Sequence, residues 1–136
     1  ISTGQSIDLF PLYGMPDNAQ DIKKYVDDVK KLESKCLIAL NDNDRIEAIQ
    51  KFNKYLLNYD YDESKIVGNV LMPAFLTDIF DKDIFGNGVY VEFEKNMFLI
   101  PEKYDEYLKH MYGDYMKFPP KEKRNGEHFY NTYRIN

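Results

Sequence analysis

Tryptophan is absent from this chain, cysteine occurs once and histidine twice. The lone Cys36 excludes an internal disulfide framework and any cysteine-rich zinc site. With only His110 and His128, and no Gly-x-Ser-x-Gly run, a hydrolytic triad has no support. No apolar run approaches the roughly 20 residues of a membrane span. Positive charge is short as well. Eighteen Lys and Arg stand against 23 Asp and Glu, a formal net charge of -5. Such a balance argues against general nucleic-acid binding, which needs a basic surface. There is no internal repeat, linker or low-complexity stretch, so the 136 residues hold no internal domain boundary.

What is present describes a folded domain. Hydrophobic residues make up 43% and charged residues 30%, a globular rather than a disordered composition. A chain of this length can bury roughly two-thirds of its unfolded surface, enough for a core without staples. Aromatic content is high, with 12 Tyr and 9 Phe. The single cysteine fits a reducing compartment. The chain opens at Ile1, without a methionine, directly into an apolar run. A piece of a longer protein is the expectation.

Residues 6–10 predict a short strand, with Ile7 and Leu9 on one face and Asp8 and Phe10 on the other. Pro11, Gly14 and Pro16 should then break regular structure. A capping box at Asp17 and Gln20 introduces a helix over about 18–40, carried by Ile22, Tyr25, Val26, Val29, Leu32, Cys36 and Leu40. A second box at Asp44 and Glu47 starts another helix to about Asn58, and the short connection predicts an antiparallel pair. Residues 65–71 fit a strand or the start of a helix, and 77–80 one helical turn. Alternation over 89–93, a turn at Lys95-Asn96 and a return over 97–100 predict a hairpin. Pro101 going in and Gly113 coming out bracket a helix over 101–112, with Tyr104, Leu108 and Met111 on one face. Its tyrosines should pack onto the hairpin. The fold class expected is α+β: a small mixed sheet containing strand 6–10 and the hairpin, packed by the helical pair and the C-terminal helix.

Three Asp-x-Asp pairs occur, Asp42/Asp44, Asp60/Asp62 and Asp81/Asp83, each in a loop or at a helix cap, where solvated acids are the simpler reading. Asp8 is different, a lone acid inside an apolar run. It reads either as an exposed strand acid or as a metal ligand. Near the other end, Lys117, Lys121, Lys123 and Arg124 stand within eight residues against Glu122, stiffened by Pro119-Pro120 and flanked by Tyr112, Tyr115, Phe118, Phe129, Tyr130 and Tyr133. Cations among aromatic faces suit a phosphorylated or cationic ligand, or form a solvated basic tail.

The run Phe93-Glu94, Pro101-Glu-Lys-Tyr104-Asp105-Glu-Tyr107-Leu108, Tyr112-Gly113-Asp114-Tyr115-Met116 and Pro119-Pro120-Lys-Glu122-Lys123-Arg124 resembles the C-terminal signature of the LicD family. The opening Ile7-Asp8-Leu9-Phe10-Pro11-Leu12 is similar to that family's internal Ile-Asp-Ile-Phe-Pro strand, and the two matches keep the family's order. The resemblance implies a nucleotidyltransferase-like phosphotransferase. Such an enzyme moves phosphocholine, or a similar phospho-alcohol, from a CDP-linked donor to a cell-surface glycan such as lipopolysaccharide or teichoic acid. The fukutin relatives are similar and use CDP-ribitol. It implies a divalent metal, Mg²⁺, held by two carboxylates on one strand and a third on the next, with Asp8 as the third and the catalytic candidate. Lys121, Lys123, Arg124, Asp114, Tyr112 and Glu94 become the substrate-binding candidates.

The departures shape the expectation. The family's upstream glycine-rich turn and clustered Asp-Asp-Asp-Ile-Asp would lie before Ile1, and Glu127-His128 stands where paired histidines are usual. Residues 1–136 therefore resemble the C-terminal portion of a LicD-like catalytic domain, inactive alone. The parent protein would be the enzyme, cytoplasmic and at the inner face of the membrane. The rival is a non-catalytic glycan- or nucleotide-binding module. Missing strands would leave an open edge or apolar patch and favour a homodimer of the isolated chain.

Overall fold

The computed structural model describes residues 9–71 and 78–124. In chain order these form β1 (Tyr13–Met15), α1 (Ala19–Ile38), α2 (Asp42–Leu56), β2 (Ile66–Gly68) and β3 (Ile79–Asp81). A 3₁₀ turn (Lys82–Ile84), β4 (Val89–Phe93), β5 (Asn96–Ile100), α3 (Tyr104–Tyr112) and a last 3₁₀ turn (Lys121–Lys123) follow. The class is α+β, as the sequence predicts.

The expected single mixed sheet is not what forms. Among the described residues there are two separate antiparallel sheets, a three-stranded one in the order β1-β2-β3 and the hairpin β4-β5. The reason lies in the helical pair. An antiparallel helix pair returns the chain close to where it left, so β2 comes back alongside β1 in the opposite sense. Gly14 then faces Val67, which in turn faces Phe80 on β3. Strand 6–10 needs correction where it can be tested. Residues 6–8 lie outside the described residues, but Leu9 and Phe10 are exposed and in no strand. The first strand among the described residues is Tyr13–Met15, between the two prolines, where Met15 gains complete burial.

Both helices begin on an asparagine rather than on the aspartate expected, Asn18 one residue after Asp17 and Asn41 three residues before Asp44. Asn18 caps α1: its Oδ1 accepts from Asp21 N at 2.9 Å, while its Nδ2 donates to Asp21 Oδ2 at 2.7 Å. Asn41 and Asp44 repeat the arrangement at α2, again at 2.9 and 2.7 Å. Asp17/Gln20 and Asp44/Glu47 are therefore not the boxes, since asparagine competes equally with aspartate for the cap position. Residues 79 and 80 are strand rather than helical turn.

Strand alternation makes the three-stranded sheet a partition. Ile66 and Ile79 face α1 and α2, joining a core of Met15, Ile22, Tyr25, Val29, Leu56 and Val70. Val67 and Phe80, pointing the other way, join a smaller core with Ile84, Leu12, Phe85, Tyr107 and Met111. At 2.9 Å the buried Tyr25 hydroxyl donates to the carbonyl of Leu56, the last residue of α2. Close approach of β2 and β3 needs Gly68, because a Cβ there would sit 2.6 Å from the Asp78 carbonyl oxygen and 2.8 Å from Met15 Cε.

The hairpin falls where alternation put it, with full register from Val89↔Ile100 to Phe93↔Asn96. Its turn is Glu94-Lys95, one residue earlier than expected, and both carry positive φ, 48° and 70°. Helix α3 starts at Tyr104, so Pro101 is not its first residue, while Gly113 follows it with φ 67°. Tyr107 and Met111, rather than Tyr104 and Leu108, carry its contact face. That face packs on Phe80 and Phe85. The hairpin is joined at its base, where Glu102 N donates to Phe85 O and Lys103 N to Ile84 O, both at 3.0 Å.

Candidate functional site

The second face of the sheet carries an open cleft of about 510 Å³, within the usual size range of small-ligand sites. Three separate stretches of chain build it. Leu9, Phe10 and Leu12 come from the segment entering β1; Asn69, Asp78 and Phe80 come from the ends of β2 and β3. Phe85, Tyr107, Met111 and Tyr112 come from the turn after β3 and from α3.

Aromatic rings dominate the floor. Phe80 is buried and stacks against Tyr107 with centroids 5.2 Å apart and planes 23° apart. Phe85 meets it edge-on at 5.5 Å, and the His110 ring lies 4.9 Å away. Tyr112 and Phe10 are exposed at the rim. The Tyr107 hydroxyl is held protonated above its ordinary range, first by burial and then by the neighbouring Tyr112 and the Asp78 carboxylate. Asp78 lines the same cleft and brings a negative charge to it.

Asn69 is the polar residue of the floor, 5% exposed. Its backbone N donates to Asp78 O at 3.0 Å, and its Oδ1 accepts from Leu71 N at 3.0 Å. Its Nδ2 has no acceptor, and it is alone in this among buried side-chain nitrogens and oxygens of the described residues. An unmet buried donor of this kind costs about 1–3 kcal/mol. It marks a place where a ligand oxygen would be welcome.

The sequence-predicted residues scatter. Asp8 lies outside the described residues, directly before the cleft-lining Leu9. Tyr112 stands at the cleft. Asp114 follows α3, where its carbonyl accepts from Lys117 N at 3.0 Å; the side chain that braces this tail is Asp105, whose Oδ1 accepts from the Tyr115 hydroxyl at 2.8 Å. Glu94 sits in the hairpin turn. Lys121 and Lys123 belong to the last 3₁₀ turn and Arg124 ends it, with Lys121 and Arg124 exposed. Arg124 is fixed there: its Nε donates to Pro119 O at 2.7 Å, and its guanidinium lies 5.3 Å from the Phe118 ring centroid. The cleft residues Asn69, Asp78, Phe80 and Phe85 were not singled out by sequence, and Tyr107 entered only as part of the LicD-like run. One signal existed, an amide at 69 inside the apolar run 66–71, the same oddity that drew attention to Asp8.

Two of the three Asp-x-Asp pairs do structural work. Asp44 belongs to a helix cap, and Asp60 Oδ1 accepts from Asp62 N at 2.7 Å in a local turn. Among the described residues no three His, Cys, Asp or Glu side chains converge as metal ligands. No described helix is long and apolar enough to cross a membrane.

Comparison with curated proteins finds a match in sequence. The chain is 30% identical over 82 residues to the lipopolysaccharide cholinephosphotransferase LicD of Haemophilus influenzae. The match takes in 59% of this chain and 31% of that protein, so the chain spans about a third of its relative's length. No family model matches the chain. No solved structure matches it either. The likeness to LicD is thus a matter of sequence, over a stretch longer than the short motifs that first suggested it.

Proposed function

We propose that this chain is part of a phosphotransferase that moves phosphocholine, or a similar phospho-alcohol, from a CDP-linked donor to a sugar of a cell-surface glycan. The observation that carries the reading is the 82-residue match to a cholinephosphotransferase. The cleft supports it independently, as a ligand-sized site with a buried donor still lacking an acceptor. In this reading the donor enters from the cytoplasm, and the acceptor is presented at the inner face of the membrane.

Asp8 is proposed as the catalytic carboxylate and one ligand of a divalent metal, Mg²⁺. Its companion carboxylates would come from a longer protein, and the 136-residue chain alone would not turn over. Arg124 is already anchored on Phe118 and Pro119, so it can meet a phosphate or the acceptor at little entropic cost. Lys121 and Lys123 add charge to the same turn. Tyr112, Asp114 and Glu94 are proposed as substrate contacts.

The test is transfer of phosphocholine from CDP-choline to lipopolysaccharide by a protein extended to the full length of its relative. Asp8→Asn in that protein should abolish turnover with its circular dichroism unchanged. Turnover near the wild-type level would remove Asp8 from the site. Absence of transfer with CDP-choline and CDP-ribitol alike, while glycan is still bound, would favour the non-catalytic module.

A further inference from the structure

The cleft pairs one carboxylate with aromatic walls, and that pairing selects among cations. A metal ion of the Mg²⁺ class needs about six oxygen ligands, and this site offers a single described carboxylate among mostly apolar side chains. A primary ammonium carries three N–H donors that each need an acceptor. A quaternary ammonium carries none. Its charge is spread over methyl groups that gain from contact with ring faces and need only one diffuse counter-charge.

We propose that this cleft receives the trimethylammonium end of choline, with the Asp78 carboxylate as counter-charge and the rings of Tyr107, Tyr112 and Phe10 as walls. The choice of choline over other quaternary ammonium compounds rests on the phosphocholine reading above. Asn69 completes the site. Choline compounds carry an oxygen two carbons from the nitrogen, and Asn69, which lines the cleft, holds just beneath its surface an amide Nδ2 that lacks an acceptor. Asn69 and Asp78 are held side by side by the bond from Asn69 N to Asp78 O, so donor and counter-charge share one rigid support. Gly68, the residue before Asn69, permits that approach.

The experiment is calorimetric titration of the 136-residue chain with choline, phosphocholine and 3,3-dimethylbutan-1-ol, the neutral carbon isostere of choline. Choline and phosphocholine should bind, and the isostere should bind about tenfold more weakly or not at all. Asp78→Asn leaves the backbone bond to Asn69 intact and should erase the difference between choline and its isostere. Tyr112→Leu, at an exposed rim position, should weaken choline about tenfold without moving the thermal midpoint. Equal binding of choline and isostere would overturn the proposal. So would choline binding indifferent to Asp78→Asn, displacement by cytidine monophosphate alone, or no choline binding at all.

The two readings fail separately. If the full-length protein transfers phosphocholine and Asp78→Asn leaves the KM for CDP-choline unchanged, the cleft assignment falls and the phosphotransferase stands. If it transfers only phosphoribitol while the chain still binds choline through Asp78, the cleft assignment stands and the phosphocholine reading falls.

Discussion

Tyr25→Phe tests how the two long helices are held together. Tyr25 is 2% exposed, and its hydroxyl donates at 2.9 Å to the carbonyl of Leu56. That carbonyl belongs to the last turn of α2, where carbonyls have no partner within the helix. The substitution keeps the ring, and so its stacking on Tyr55 at 5.6 Å and its edge contact with Tyr59 at 5.2 Å. What it removes is one donor, leaving a buried acceptor unmet, at a cost of about 1–3 kcal/mol. With a urea slope of ~2 kcal/mol/M, the unfolding midpoint should fall by ~0.5–1.5 M.

The same hydroxyl predicts a pH dependence. Its pKa is pushed from 10.0 up to about 12, chiefly by burial and then by the neighbouring tyrosines 55, 13 and 59. A folded-state pKa above the unfolded one means that the folded state keeps the proton more tightly. The contribution is therefore intact below pH ~10 and lost as the pH climbs from ~10 to ~12, at most about 3 kcal/mol. Phenylalanine has no such limb, so the wild type's advantage at pH 7 should shrink above pH 10. Urea titrations at pH 7, 9, 10.5 and 11.5 would measure it. A variant within ~0.3 kcal/mol of wild type at pH 7, or an alkaline slope identical in both, would refute the reasoning.

Two further changes probe local structure. Glu94 and Lys95 form a two-residue hairpin turn with both φ values positive, where Asn-Gly is strongly preferred. Glu94→Asn with Lys95→Gly should stabilise the chain by about 1 kcal/mol in thermal melts, and a loss would mean that the glutamate has a contact worth more than the relieved strain. Asn41→Ala removes the acceptor from Asp44 N and should cost about 1 kcal/mol in urea unfolding; an unchanged midpoint would show that water caps α2 equally well.

The long periodic elements were legible in the sequence. Twenty residues of helical spacing fix α1, and alternation from Val89 to Ile100 fixes the hairpin. The three-residue strands were not, because 13–15, 66–68 and 79–81 are too short to display a period of two. Helix starts slipped because Asp17 and Asn18 are both good caps and only the fold chooses between them. Nothing in the sequence marks Asp105, one acid in a run of helical charges, as the brace of the tail, a role it fills through Tyr115. The cleft was the least legible feature. Its walls are gathered from positions as far apart as Leu9, Asn69, Asp78 and Tyr112, and no local pattern announces that Asp78 and Tyr107 will line one site.

The partitioning sheet also sets the order in which the molecule can be assembled. The helix pair and the β4-β5 hairpin are made of near neighbours in sequence and can form early, whereas β1 must find β2 across some fifty intervening residues. The cleft is floored by β2 and β3 and walled by the segment that leads into β1, so it comes into being only with that last, long-range pairing. A ligand held there draws on the folding free energy of the whole chain and returns it as added thermal resistance. Strand β1, three residues long, is thereby the latch of the binding site, and the first partial unfolding that frees it takes the cleft with it.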